Sequence, residues 1–180
     1  MKVILVAAIS LDGFITRHDE PGSDFTSEAD SRYLGEILPR FDCAVFGGRS
    51  YRVAPVWMRT RLMPGKLRVV MTRSPDRYAG QAERDSFEFT DGSPPDIVDD
   101  LRSRGFRACA LLGGGQVYSA FLQASCVDEL WLTLEARLFG NGTPLCPGSF
   151  DLSLRLLSHQ PLDGDTLLLK YAPASPGPNL

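Results

Sequence analysis

The 180-residue chain carries no surplus of positive charge: 19 lysines and arginines stand against 22 acidic residues, a net charge of −3. It therefore lacks the broad electrostatic footprint that nucleic acid requires, and neither DNA nor RNA is expected as a partner. C-x-x-C pairs are absent too. The four cysteines, Cys43, Cys109, Cys126 and Cys146, lie far apart and two of them fall inside apolar runs. Buried free thiols in a reducing, cytoplasmic setting are the expectation. No apolar run is long enough to span a bilayer. The N-terminal KVILVAAISL passes into DGFI rather than a cleavage site and reads as a buried strand, so no membrane partner is expected.

What is present is an alternation. A composition 43% hydrophobic and 23% charged suits one domain, expected over residues 1–172. Runs rich in β-branched, aromatic and other apolar residues at Val3–Ala8, Cys43–Phe46, Leu67–Met71, Phe87–Phe89, Ala108–Leu112 and Leu130–Leu134 read as strands. A last pair is expected near Leu154–Ser158 and Thr166–Tyr171. Helical patterns lie between several of these, at Glu28–Leu38, near Ser50, at Pro95–Arg104 and at Gln116–Ala124. The pattern predicts an α/β fold with a mostly parallel sheet and an antiparallel C-terminal pair joined by HQPLDGD. HDEPGSD, VWMRTRLMPGK, TDGSPPD and FGNGTPLCPG read as loops within that domain, and residues 173–180, with three prolines, as a tail without fixed structure.

Three glycines, Gly113, Gly114 and Gly115, follow an apolar run and open a helix. Such a turn offers backbone N–H groups and a positive helix end to a phosphate, or it serves only as a tight connection. The Walker ending is missing, because Gln116-Val117-Tyr118 follows Gly115, and the Rossmann fingerprint would need glycine at Tyr118. Glu135 stands where a ribose-binding acid could lie, but reads more simply as a strand-end or surface residue.

Upstream, Tyr33, Leu34, Ile37 and Leu38 form an apolar stripe that starts from Asp30, so Asp30 faces inward while Glu28, Arg32, Gly35 and Glu36 face water. Ser27 and Asp30 also match a capping pattern, which leaves two readings for the acid: a helix cap, or a partly buried carboxyl that anchors a nitrogen heterocycle. At two further strand ends, Gly47, Arg49 and Ser50, then Thr72, Arg73 and Ser74, supply a cation and hydroxyls suited to phosphate. These clusters share the carboxyl ends of the strands, where open α/β sheets bind ligands, and a nucleotide-type cofactor is the leading expectation.

On these residues the chain resembles the dihydrofolate reductase superfamily, over about Lys2 to Tyr171. Specifically, it resembles the branch related to the C-terminal reductase domain of riboflavin-biosynthesis deaminase/reductases. GGGQVYSAFL is similar to the cofactor-pyrophosphate loop and helix of dihydrofolate reductases, whereas SLDGFI, VDELWLTLEARLFGNGTPL and DGDTLLLKY are more like the riboflavin branch.

The resemblance implies a three-layer fold and NADPH-dependent hydride transfer to a small heterocyclic substrate, without a metal. It places Ala8 and Ile15 beside the nicotinamide, and Gly113, Gly114, Gly115, Gln116 and Val117 around the pyrophosphate. Gly47, Arg49, Ser50, Thr72, Arg73 and Ser74 fall at the adenosine end. Asp30 matches the substrate-anchoring acid, Thr133 the threonine that supports it, and Asp12 the acid of the S-L-D-G motif; Tyr33 would line the substrate pocket. A homodimer is implied by the riboflavin branch. Two departures stand out: Gly113 replaces the glutamate of E-G-G, and Gly48 replaces an arginine of G-R-[RK]-T. The zinc-deaminase motifs are missing. A dihydrofolate reductase proper and a non-catalytic nucleotide-binding protein remain the alternatives.

Overall fold

The computed structural model describes residues 1–22, 24–53, 56, 60–149 and 151–174. Its strands are β1 (Lys2–Ser10), β2 (Cys43–Gly47), β3 (Leu67–Met71), β4 (Phe87–Thr90), β5 (Ala108–Leu111), β6 (Glu129–Glu135), β7 (Leu154–Pro161) and β8 (Leu167–Pro173). Its helices are α1 (Glu28–Ile37), α2 (Gly48–Val53), α3 (Pro94–Ser103) and α4 (Gly115–Gln123), with 3-10 turns at Leu38–Arg40 and Pro75–Gln81. All eight strands expected from apolar runs are present. Residues 23 and 57–59 of two expected loops lie outside the described residues, as do residues 175–180 of the expected tail. β8 reaches Pro173, one residue into that tail.

The strands form one sheet in the order β4-β3-β2-β5-β1-β6-β8-β7. The first six run parallel, and β8 and β7 add antiparallel at the far edge. Central strands of a parallel sheet are covered on both faces, which explains why all five residues of β2 are buried. Two cores result. Val3, Leu5, Val45 and Leu111 pack against α3 and α4 on one face, while Ile4, Val6, Phe46 and Val70 meet Ile37 of α1, Phe41 and Tyr51 on the other. Cys43 and Cys109 are buried free thiols at paired positions of β2 and β5, whereas Cys126 and Cys146 are half-buried. No helix among the described residues is long and apolar enough to cross a membrane.

This order decides where a ligand can lie. The carboxyl ends of β3, β2, β5, β1 and β6 follow one another along one edge, four strand spacings or roughly 19 Å. The loops after β1 and β6 are tied across that edge: Ile15 N–H donates to Thr143 O at 2.8 Å and Leu145 N–H to Gly13 O at 2.9 Å.

Candidate functional site

The three glycines differ in what surrounds them. Gly113 has φ +88°, and a Cβ built there would lie 2.6 Å from Tyr118 Oη. Gly115 is closed off as well, with Pro144 O at 2.7 Å from such a Cβ. Both are glycine because the protein's own packing demands it. Gly114 is not: its φ is −80°, and a Cβ there would meet only Ser50 Oγ at 3.5 Å and Ile15 Cδ1 at 3.9 Å. The backbone at Gly114 is thus open toward the carboxyl edge, between Ile15 and Ser50.

Around that opening the structure brings most of the sequence-predicted cofactor residues together. Gly47 N–H donates to Gly113 O at 2.7 Å, which locks the end of β2 to the glycine turn. A Cβ on Gly47 would sit 3.0 Å from Val117 Cγ2, and one on Gly48 3.3 Å from Thr72 Oγ1. Ser50, Thr72 and Ser74 are half-buried, Arg49, Arg73 and Gln116 exposed. Neither Arg49 nor Arg73 has an ion-pair partner among the described residues.

The acid lies at the other end of the edge. Asp30 is 8% exposed, as its place on the inner stripe of α1 requires. Thr133 Oγ1 donates to Asp30 Oδ1 at 2.5 Å, and Thr133 pairs with Ala8 across β1 and β6, so Ala8, Thr133 and Asp30 are contiguous. Burial raises the Asp30 carboxyl from its ordinary value; the Thr133 hydroxyl opposes this, the Glu135 charge adds to it, and the Thr26 hydroxyl also lowers it. Three residues on, burial pushes the Tyr33 phenol up to about 12, so it remains a donor at neutral pH. Tyr33 Oη is the one buried side-chain polar atom without a hydrogen-bond partner among the described residues.

Two further acids that the sequence singles out have defined partners in three dimensions. Asp12 is exposed and pinned to the loop after β6: it accepts from Ser10 Oγ at 2.6 Å, Phe139 N–H at 3.0 Å and Gly140 N–H at 2.7 Å. Those donors hold its carboxyl below the ordinary value, the Ser10 hydroxyl most of all. Glu135 does end a strand, but it is no surface residue, being only 3% exposed. It accepts from Ser27 N–H at 3.1 Å, from Ser27 Oγ at 3.0 Å and from Thr166 Oγ1 at 3.2 Å. The signal for this was available: Glu135 stands two residues beyond Thr133 and therefore shares its face of β6.

A cavity of about 390 Å³ opens beside this anchor, lined by Ser27, Glu135, Arg137, Asp165 and Thr166 among others. Apart from Glu135, none of the residues that the sequence assigned to cofactor or substrate lines it. His18 and His159 are both exposed, and His18 Nδ1 is bonded to Asn141 Oδ1, so neither histidine stands at the acid.

Comparison with known proteins places this geometry. The sequence profile of the RibD C-terminal domain matches residues 1–168. The uncharacterized protein YwjB of Bacillus subtilis is 28% identical over 149 residues, which cover 80% of this chain and 82% of that protein. Among solved structures, a pyrimidine reductase-like protein from Corynebacterium diphtheriae has a TM-score of 0.73 at 18% identity, over 97% of this chain and 92% of the other. Dihydrofolate reductase from Enterococcus faecalis, complexed with NADP(H) and RAB-propyl, has a TM-score of 0.68 at 18% identity, over 97% of each chain. The fold is therefore that of the dihydrofolate reductases, as the sequence implied.

Proposed function

The chain belongs to the RibD C-terminal domain family, and from that premise we propose that it is an NADPH-dependent reductase of a nitrogen heterocycle, a pyrimidine of the riboflavin type or a pteridine. The observation that carries this reading is Gly114, where the protein's own packing leaves room for a side chain and φ is not positive. A strand-to-helix turn with that space left empty fits a pyrophosphate. The residues on either side fit the rest of the dinucleotide. Arg49 and Arg73, cations without an ion-pair partner among the described residues, suit a 2′-phosphate, with the hydroxyls of Ser50, Thr72 and Ser74 at the same end. Ala8 and Ile15 supply the apolar border for a nicotinamide.

Bound NADPH would supply the hydride; the chain supplies alignment and charge. Asp30, held by Thr133, would pair with an amidine-like edge of the substrate and favour its protonated form. The Tyr33 hydroxyl, without a hydrogen-bond partner among the described residues, would donate to the same ligand. Water would bring the proton, since neither histidine reaches Asp30.

The test follows absorbance at 340 nm with NADPH and either dihydrofolate or the riboflavin-pathway pyrimidinone, in wild type and in Asp30→Asn. Turnover that falls about 100-fold or more in the variant supports the reading. The faster substrate identifies the branch. No oxidation with either, despite tight NADPH binding, would favour a non-catalytic nucleotide-binding protein.

A second copy of this chain fits the open end of the sheet. All eight residues of the outermost strand, β7, are exposed. Leu156, 48% exposed, lies opposite Tyr171 at the margin of the α3/α4 core, and Leu154 and Leu167 remain 40% and 39% exposed. An unpaired edge with a leucine-rich face is what a two-fold interface covers.

A further inference from the structure

The pattern Ser-x-x-Asp occurs at two helix starts in this chain, with different outcomes. At α3 the capping box is complete. Asp96 N–H donates to Ser93 Oγ at 3.4 Å, and the Asp96 carboxylate reaches back to accept from Ser93 N–H at 3.1 Å. At α1 the first half is the same, with Asp30 N–H donating to Ser27 Oγ at 3.1 Å. The second half is not, because Ser27 N–H donates to Glu135 Oε1 at 3.1 Å and the Asp30 carboxyl turns to Thr133.

We infer that Glu135 is a positioning residue of the candidate site: by taking the Ser27 N–H it denies Asp30 the closed capping box and leaves the Asp30 carboxyl facing Thr133. The inference rests on the proposed function only in treating Asp30 as the group that meets substrate. Thr133 and Glu135 lie on one face of β6, so a single strand holds the acid by its side chain and its helix by the cap. Thr166, 3% exposed, donates to Glu135 Oε2 at 3.2 Å and keeps the glutamate turned toward Ser27. The Ser27 N–H is one of the donors that a helix start must satisfy, and Glu135 takes it in place of Asp30, which stands at the capping-box position. Remove Glu135, and Asp30 has the geometry that Asp96 already adopts.

The Ser27 amide and the Asp30 carboxyl are followed together by NMR across pH, without cofactor, in wild type, Glu135→Ala, Glu135→Gln and Thr133→Val. In wild type the Ser27 amide shift is expected to ignore the titration of Asp30. In Glu135→Ala it should follow that titration; loss of the Glu135 charge lowers the Asp30 midpoint in any case, so the coupling of the Ser27 amide to Asp30 is the readout. Glu135→Gln keeps an acceptor for Ser27 and should restore the wild-type amide. The inference is overturned if Glu135→Ala leaves the Ser27 amide exchanging with solvent and indifferent to the titration of Asp30, since Glu135 would then be only an anchor of the fold. Thr133→Val puts the same question with Glu135 intact, should Glu135→Ala not fold. The Ser27 amide must still ignore Asp30, and coupling there overturns the inference. A protein that fails to bind NADPH would sink the reductase reading and leave these spectra unchanged.

Discussion

A methyl group added at Gly113 and one added at Gly114 should have opposite effects, although the residues are neighbours. In Gly113→Ala the new carbon would lie 2.6, 2.7 and 2.9 Å from Oη, Cζ and Cε2 of Tyr118. That ring is 3% exposed and its hydroxyl donates to Val6 O at 2.8 Å, so it has nowhere to retreat. Alanine at φ +88° costs about 1–2 kcal/mol, and over-packing a filled site about 1–3 kcal/mol. A displaced Tyr118 would also leave the Val6 carbonyl unpaired, at about 1–3 kcal/mol. Taken together, roughly 4 kcal/mol is a large part of a typical folding free energy of about 5–15 kcal/mol. For a chain of this size it lowers Tm by roughly 10 °C. In Gly114→Ala the nearest atoms are at 3.5 and 3.9 Å, ordinary contacts, and Tm should stay within about 2 °C. The same methyl occupies the space assigned to the cofactor, so the NADPH Kd should rise about tenfold or more. Thermal unfolding by circular dichroism and nicotinamide fluorescence titration read the two effects separately. Wild-type affinity in Gly114→Ala, or a wild-type Tm in Gly113→Ala, would refute this division of roles.

Asp30→Asn should stabilise the fold at neutral pH. Because the folded-state pKa of Asp30 is raised, the protonated acid is the form the fold favours. That preference is fully present below the unfolded value, 3.8, and is lost as pH rises through the folded value. Asparagine removes the buried charge, so Tm at pH 7.5 should rise by roughly 3 °C, about 1 kcal/mol, with the gain vanishing near pH 3.5. A loss of Tm at pH 7.5 would mean that the charged acid supports the fold. At the sheet edge, Leu156→Glu should convert a dimer seen by light scattering into a monomer, and an unchanged mass for wild type and variant would remove β7 from any interface.

Most of the fold was legible because parallel strands buried on both faces leave continuous apolar runs, as in CAVFG and LRVVM. The 3-10 turn at Pro75–Gln81 was not, since PDRYAGQ has neither apolar period nor capping bond. At the site, the inward Asp30 followed from helical spacing alone, and the gathering of Gly47, Thr72 and Gly114 from their place at strand ends. The fate of a capping motif could not be read in the same way. Ser27-x-x-Asp30 and Ser93-x-x-Asp96 are the same local pattern, and the difference between them is Glu135, more than a hundred residues away in the chain. The partners of Asp12 were hidden for a related reason: its donors at Phe139 and Gly140 belong to a loop on the far side of the sequence.

The most direct measurement is fluorescence titration of the purified chain with NADPH and with NADH. Saturable NADPH binding at about micromolar Kd is expected, tighter than NADH because Arg49 and Arg73, without ion-pair partners among the described residues, can meet a 2′-phosphate. If neither nucleotide binds below millimolar concentration, Gly113, Gly114 and Gly115 form only a turn, and the chain is not a nicotinamide-dependent reductase.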